Sequence, residues 1–317
     1  MHILSVFRTD HPLVRALAEA GHEIVVVGEL DLPSGEQLSN ASFYLGDIFP
    51  QIKAPFILAR LKGLLSAHGI PYIVWNRDSP WNCAIKPWRK LMIRPLRAID
   101  IYLAHSLQDQ KCFARDAEYF PNAADTHLYH LGSRSLISLR DRQSYKTEVT
   151  FVGTLSPGFR RVRKRVEFLV ALAGRFKALG ISWQFLDTSV GTAARTTAEN
   201  IEFVQQSRIN LSVGAVCDYP EKSWGLPERC FGIAAAGGFL ACDDRKHAAQ
   251  TLPANSWAGF ASIDECVEKI RFHLAQFDLS RDMAESLHSH VIQNHTYVAR
   301  ATQLVEIVQS WKLRAVS

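Results

Sequence analysis

The chain has 317 residues, of which 47% are hydrophobic and 21% charged, with a formal net charge of +5. This composition excludes a disordered or low-complexity chain, and the length points to two domains rather than one. The charge excess suits an anionic ligand but is too small to specify nucleic acid by itself.

Six cysteines, Cys83, Cys112, Cys217, Cys230, Cys242 and Cys266, form no Cys-x-x-Cys pair and have no His partner at zinc spacing, so reduced thiols in a cytoplasmic setting are expected. The apolar run 3–7 is too short for a signal segment. No run approaches the roughly 18 apolar residues that cross a bilayer, and neither export nor a membrane span is expected.

In chain order, the spacing predicts a strand at 3–7, a helix from Pro12 to His22 carrying Leu13, Val14, Leu17 and Ala20 on one face, and a strand at Ile24–Val27. Strand, helix and strand in so few residues is a βαβ opening, the unit of a parallel sheet. The rhythm returns as a helix near 55–68, a strand at 72–75, a helix near 87–98, a strand at 99–104, a helix near 107–115 and a short strand at 118–120. Between His130 and Thr147 the pattern dissolves into Ser, Arg, Asp and Gln, which reads as a linker. A second series starts at Glu148–Thr154: a strand, a helix over 163–179 closed by Gly180, strands at 183–186 and 209–213, a helix over 226–236, a strand at 239–242, and a mostly helical end over 263–276 and 280–312. The expectation is two Rossmann-like domains, 1–140 and 141–317, with ligands beyond the carboxyl ends of the strands.

Chemistry is therefore sought in the loops that follow strands. After the first strand come Arg8, Thr9, Asp10 and His11, where an acid or imidazole can act as base; a helix cap by Thr9 or Asp10 before Pro12 is the alternative. After the strand at 72–75 comes Trp75-Asn76-Arg77-Asp78-Ser79-Pro80-Trp81-Asn82. It combines aromatic faces with one carboxylate, as a sugar-like ligand and a general base require, against an Asx-turn as the alternative. The segment from Lys86 to Arg97 interleaves Lys86, Arg89, Lys90, Arg94 and Arg97 with apolar residues, which fits an anionic membrane surface, an anionic acceptor, or a core helix with a wet basic face. Arg160, Arg161, Arg163, Lys164 and Arg165 follow the strand ending at Gly153 and enter a helix, so at least one is expected on a phosphate. The Asp243–Asp244 pair offers no third ligand and is read as a cap rather than a metal site. Neither a dinucleotide fingerprint nor a P-loop occurs.

Several blocks together resemble the CgeB-type (spore-maturation-protein-like) glycosyltransferases. WNRDSPWN, AIDIYLAHS and AEYFPNAADTHLY are similar in order and spacing to that family's N-terminal domain. EVTFVGT with its trailing arginines, SRINLSV, LPERCFGIAAAGGFLACDD and NHTYVARATQLVEIV are similar to its C-terminal domain, so the likeness runs from about Tyr72 to Val308. The resemblance implies an α/β fold of the GT-B type: two facing Rossmann-like domains, an acceptor side at the N-terminus, a nucleotide-sugar donor held by the C-terminal domain, no obligatory metal or other cofactor, and a last helix that crosses back. Carried over by position, Gly153 and Thr154 approach the donor diphosphate with Arg160 or Arg161; Arg229 and Phe231 match an R-x-F motif, and Gly237-Gly238 its small turn. The family has Glu after R-x-F, where it binds the donor ribose; here that position is Gly232, and Glu228 lies one helical turn earlier.

Glycosyl transfer needs stabilised phosphate charge and, for inversion, a base for the acceptor. Asp78 is the preferred base, with Asp10 and His11 as alternatives, and Trp75, Asn76, Arg77 and Trp81 form the expected acceptor wall. Gly232 keeps a nucleotide-sugar-binding protein without transferase activity as the alternative, and a nucleotide-sugar 2-epimerase ranks behind it for want of an acid–base set. The acceptor class (glycan, small molecule, protein or nucleic acid) is not specified by these residues.

Overall fold

The computed structural model describes residues 1–77, 88, 91, 93–105, 107, 114–156, 162–188, 196–214 and 225–316. They form two compact units, Met1–Pro121 with Tyr297–Ser317, and Asn122–Thr296.

The first unit is built on β1 (His2–Ser5), α1 (Pro12–Glu19), β2 (Glu23–Val26), α2 (Gly35–Asn40), β3 (Phe43–Asp47), α3 (Ile48–Lys53), α4 (Pro55–Ala67), β4 (Tyr72–Asn76), β5 (Ile99–Ala104) and β6 (Ala114–Tyr119). Its six strands are parallel in the order β2-β1-β3-β4-β5-β6, so the sheet reverses direction of growth between β1 and β3. β4 is buried at every residue and β3 at all but its last, as central parallel strands covered on both faces must be. Helix α1 starts with Pro12, and its cap is His11 rather than Thr9 or Asp10: the imidazole Nδ1 accepts from Leu13 N–H. The helices buried at Leu13, Val14 and Leu17 (α1) and at Leu58, Leu61 and Leu65 (α4) show the i, i+3/i+4 spacing of an inward face.

The second unit contains β7 (Thr147–Gly153), α5 (Arg163–Leu179), β8 (Trp183–Asp187), α6 (Thr197–Gln205), β9 (Ser207–Ser212), α7 (Glu228–Ala235), β10 (Leu240–Asp243), α8 (Ala248–Thr251), β11 (Ala258–Phe260), α9 (Ile263–Ala275) and α10 (Phe277–Asn294). The sheet is again parallel, in the order β11-β10-β9-β7-β8, with its switch point between β7 and β9. One core gathers Phe151, Phe168, Leu172, Phe176, Leu211 and Phe260; a second gathers Phe231, Ile233, Ala234–Ala236, Leu240 and Leu287.

The boundary differs from the one expected at residue 140. Residues 122–140 belong to the second unit because their side chains complete its packing: Leu131 and Leu139 lie against Gly237, Arg140 bonds Asp282 and Glu285 at 2.6 and 2.7 Å, and Leu131 O accepts from Gln205. The stretch that reads as a linker is thus an irregular layer with two short 3-10 turns, Ser138–Arg140 and Arg142–Ser144.

After α10 the backbone makes an isolated parallel bridge between Ala124 and Thr296, and then α11 (Tyr297–Val316) begins. This last helix packs on α1 of the first unit, as a helix that crosses back is expected to do. Arg300 donates to Pro121 O at 2.9 Å, and Arg314 pairs with Asp116 at 2.9 Å.

Candidate functional site

In an open parallel sheet the crevice beyond the carboxyl ends of the strands at the switch point is where ligands bind. In the second unit those ends are Gly153 of β7 and Ser212-Val213-Gly214 of β9. Two guanidinium groups reach them. Arg165, of the basic run, is buried, donating from Nε to Val213 O at 3.0 Å and from Nη1 to Thr154 O at 3.1 Å, so it ties the two strand ends together. Arg229 comes from the first turn of α7, and its guanidinium carbon stands 4.7 Å above the Phe151 ring. Its Nη1 is enclosed and has no hydrogen-bond partner among the described residues. Burial pushes this guanidinium below its usual pKa, the sign of a cation held without sufficient compensation.

Gly153 is required here. A Cβ on it would meet Arg229 Nη1 at 3.0 Å and the Phe151 ring at 2.9 Å, so any side chain would push the guanidinium out of place. A cavity of about 30 Å³ adjoins, lined by Tyr129, Phe151, Asn200, Phe203, Arg229 and Ile233. Behind it lies a closed electrostatic layer: Asp243 takes Arg245 at 2.7 Å and the Gly214 N–H at 2.9 Å, so the β9 end is anchored to β10. Burial opposes the Arg245 charge, and Asp243 outweighs it and holds the group protonated.

Other expected donor residues have different places. Phe231 is fully buried in the α7 core, with its ring 5.5 Å from that of His295, and presents nothing to a ligand. Gly237 has φ +76, and a Cβ there would meet Leu139 at 2.7 Å; at Gly238 it would meet Val204 at 2.6 Å. These two glycines serve the close approach of α7 and β10 to their neighbours. Gly232 is explained as well: its missing side chain makes room for Tyr129, whose ring would lie 2.8 Å from a Cβ. Glu228 opens α7 and is half-buried. Arg160 and Arg161 lie outside the described residues, and so do residues 215–224 after β9.

The first unit has its own switch-point loop, and it holds an aromatic cluster. Trp75, 1% exposed, is met edge-on by Phe7, His11, Phe120 and Tyr297, with Arg77 5.6 Å above its ring. Asn76 is buried and donates to the Tyr102 hydroxyl. Of the candidate bases, Asp10 is exposed in an ion pair with Arg8 at 3.2 Å, and Asp78 lies outside the described residues together with Trp81. His11 is corrected from base to donor. Its Nδ1 is occupied as an acceptor, so the neutral ring carries its proton on Nε2, which is enclosed and has no partner among the described residues. Burial, helped by Arg77, lowers its pKa from 6.5 to about 3, so it does not collect a second proton near neutrality.

This shift has a measurable consequence. The unfolded chain protonates His11 below about pH 6.5 while the folded chain resists until about pH 3, so the folded state loses stability as pH falls through that window. His11→Asn, which keeps a capping side chain, is expected to flatten the slope of melting temperature against pH between 6.5 and 4; an unchanged slope rules out His11 as its source.

Comparison with known proteins adds a match over part of the chain. Residues 160–306 match the family model described as "Glycosyl transferase-like". No curated protein sequence matches the chain significantly. Among solved structures, sucrose-phosphate synthase from Thermosynechococcus elongatus superposes with a TM-score of 0.69 at 11% identity, covering 100% of this chain and 99% of that one. Anabaena HepE, solved in complex with UDP and glucose, gives 0.63 at 12% identity, covering 98% and 100%. The alpha,alpha-trehalose 6-phosphate synthase of Burkholderia multivorans gives 0.57 at 13% identity, covering 99% of each. At such identities the likeness speaks for the fold, and the fold is GT-B.

The matched segment begins at the basic run and ends in α11, so it takes in Arg165, Arg229 and the Asp243–Arg245 layer of this GT-B chain. Arg165 and Tyr129 are the residues whose part sequence reading missed. Arg165 was one of five cations in the run, and only the fold turns it inward onto two carbonyls. Tyr129 ends the block AEYFPNAADTHLY, far in sequence from the glycine whose side chain it replaces.

Proposed function

We propose that the chain is a glycosyltransferase that takes its sugar from a nucleotide-sugar donor bound by the second unit. The observation that carries this reading is Arg229: a half-buried arginine with one enclosed guanidinium nitrogen unpartnered among the described residues, standing over Phe151 beside Gly153 at the switch point that leads into the glycosyl-transferase-like segment. A diphosphate oxygen supplies the acceptor that this nitrogen lacks, and the charge that leaves with the nucleotide is what a preorganised arginine stabilises. In the transfer, the bond from the anomeric carbon to the diphosphate oxygen breaks, the acceptor oxygen bonds to that carbon, and the acceptor loses its hydroxyl proton. Asp78 is the proposed recipient, since Asp10 faces solvent and the enclosed His11 nitrogen already holds a proton. Of the expected acceptor wall, Arg77 is partly exposed and belongs to the acceptor side, whereas Trp75 and Asn76 are buried and support it from beneath. The motif order supports a CgeB-type enzyme within this class.

UDP is the first base to test, because HepE was solved with UDP and with UDP-glucose. A thermal-shift series with UDP, UDP-glucose and other nucleotide sugars is expected to raise the melting temperature for one base, since a ligand of the folded state adds RT ln(1 + [L]/Kd). Hydrolysis or transfer assayed with that donor is expected to survive EDTA, with arginine rather than a divalent ion as counter-charge. No shift with any nucleotide sugar ends the reading, and full loss of turnover in EDTA ends its metal independence.

Gly232 supports a second reading, a nucleotide-sugar-binding protein without transfer. Tyr129 occupies the space of the ribose-binding glutamate that the resemblance leads one to expect. Donor binding with neither hydrolysis nor transfer favours it.

A further inference from the structure

Away from the strand ends, the first unit carries a surface of unusual composition. Phe56, at the start of α4, is 80% exposed, Trp88 51% and Leu91 75%. Soluble surfaces rarely present a large aromatic this fully, and here two stand together. Phe56 and Trp88 line one groove of about 400 Å³ with Ile52, Lys53, Pro55 and Ile57, and Leu91 N–H bonds Trp88 O at 3.0 Å. Exposed cations accompany the apolar residues: Lys53 lines the groove, Arg60 lies one helical turn after Phe56 on α4, and Arg94 and Arg97 closely follow Leu91 in the chain. The two segments are joined by Lys62, whose Nζ donates to Arg97 O at 3.0 Å. From Ile48 to Ala98 the sequence has Asp78 as its sole acidic residue.

We infer that this face docks on an anionic lipid bilayer surface. Aromatic and aliphatic side chains that project from a cationic rim match the two layers of a membrane interface, acyl boundary inside and negative headgroups outside. The charge identifies the partner. A second copy of the same face would bring cation against cation, whereas anionic headgroups neutralise every one of these side chains. The aromatics are placed to enter: Phe56, Trp88 and Leu91 are exposed already, so insertion exposes no core. The groove beside them is bordered by apolar side chains and one lysine, so an acyl chain end is accommodated without leaving a polar group dry. Since no helix among the described residues is long and apolar enough to cross a membrane, the contact is peripheral and reversible.

Vesicle co-sedimentation with the full chain tests this, using phosphatidylcholine alone and phosphatidylcholine with about one-third phosphatidylglycerol. Binding is expected only to the anionic vesicles and is expected to fall steeply with salt. Arg60→Gln and Arg94→Gln each reduce partitioning roughly fivefold, and the pair Phe56→Ser with Trp88→Ser reduces it by roughly tenfold or more. These positions are exposed, and an unchanged melting temperature confirms that the variants fold. Equal binding to neutral vesicles, no binding to anionic ones, or partitioning that ignores all four substitutions overturns the inference. So does a dimer in solution that Phe56→Ser dissociates, because the face then serves a second copy.

Discussion

Arg229→Ala is expected to cut the melting-temperature shift that the cognate nucleotide sugar produces by half or more, with donor affinity down about 10- to 100-fold, the value of one charge-assisted hydrogen bond of roughly 1.5–3 kcal/mol. The protein without donor supplies the control. In the folded chain Arg229 is a cation pushed below its usual pKa by burial, with an enclosed nitrogen that the described residues leave unsatisfied. Removing such a charge relieves a desolvation penalty, so the variant's own melting temperature stays level or rises. A structural role for Arg229 gives the reverse pattern, lowered stability with the donor shift retained, and that result removes the residue from the site. Arg229→Lys separates charge from geometry: lysine keeps the cation without the planar fork that stacks on Phe151, and intermediate affinity is expected.

The second large effect is expected at Gly232. Gly232→Glu restores the residue that the family resemblance leads one to expect, yet it is expected to destabilise the chain by about 2–4 kcal/mol, a fall in melting temperature on the order of 10 °C. The reason is steric before it is electrostatic. A Cβ at this position meets three atoms of the Tyr129 ring between 2.8 and 3.0 Å, and a rigid aromatic in a packed layer cannot yield as a lysine tip would. Combining Gly232→Glu with Tyr129→Ala opens the space, and the double variant is expected to recover most of the loss relative to Gly232→Glu, a non-additivity that differential scanning calorimetry measures. If the two substitutions simply add, Tyr129 is not what keeps position 232 small. If the double variant also gains affinity for the donor ribose, the Tyr129–Gly232 pair has replaced a glutamate contact in this chain.

These two positions mark how far the sequence could be read. The paired α/β series was legible because β-branched and aliphatic runs alternate with segments of helical period, as in β1–α1–β2 and in β7–α5–β8. β3 (Phe43–Asp47) was not read, although it is central in its sheet: five residues containing Gly46 and ending in Asp47 carry too little apolar run to stand out. β11, three residues long, was missed for the same reason. The chain near 130–147 looked like a linker since it has no period, but lack of period marks irregular structure and says nothing about burial. Leu131 and Leu139 supply the contacts that Gly237 makes room for.

At the candidate site the same division holds. The types of residue were visible: arginines after a strand, a small-residue turn, aromatics beside an acid. Their orientation was not. Phe231 points into the core, Arg165 onto two carbonyls, and His11 onto the first turn of its own helix. The sequence alone determined the two-series α/β architecture, the want of a dinucleotide or P-loop fingerprint, and the basic character of 48–98, because these depend on local period, spacing and charge. Only the tertiary structure decided that Arg229 stands at the strand ends with a nitrogen unpartnered among the described residues, and why position 232 has no side chain. Both depend on contacts between residues far apart in the chain: Arg229 with Gly153 and Phe151, and Gly232 with Tyr129. Pair distances of that kind are set by packing, which no local pattern encodes.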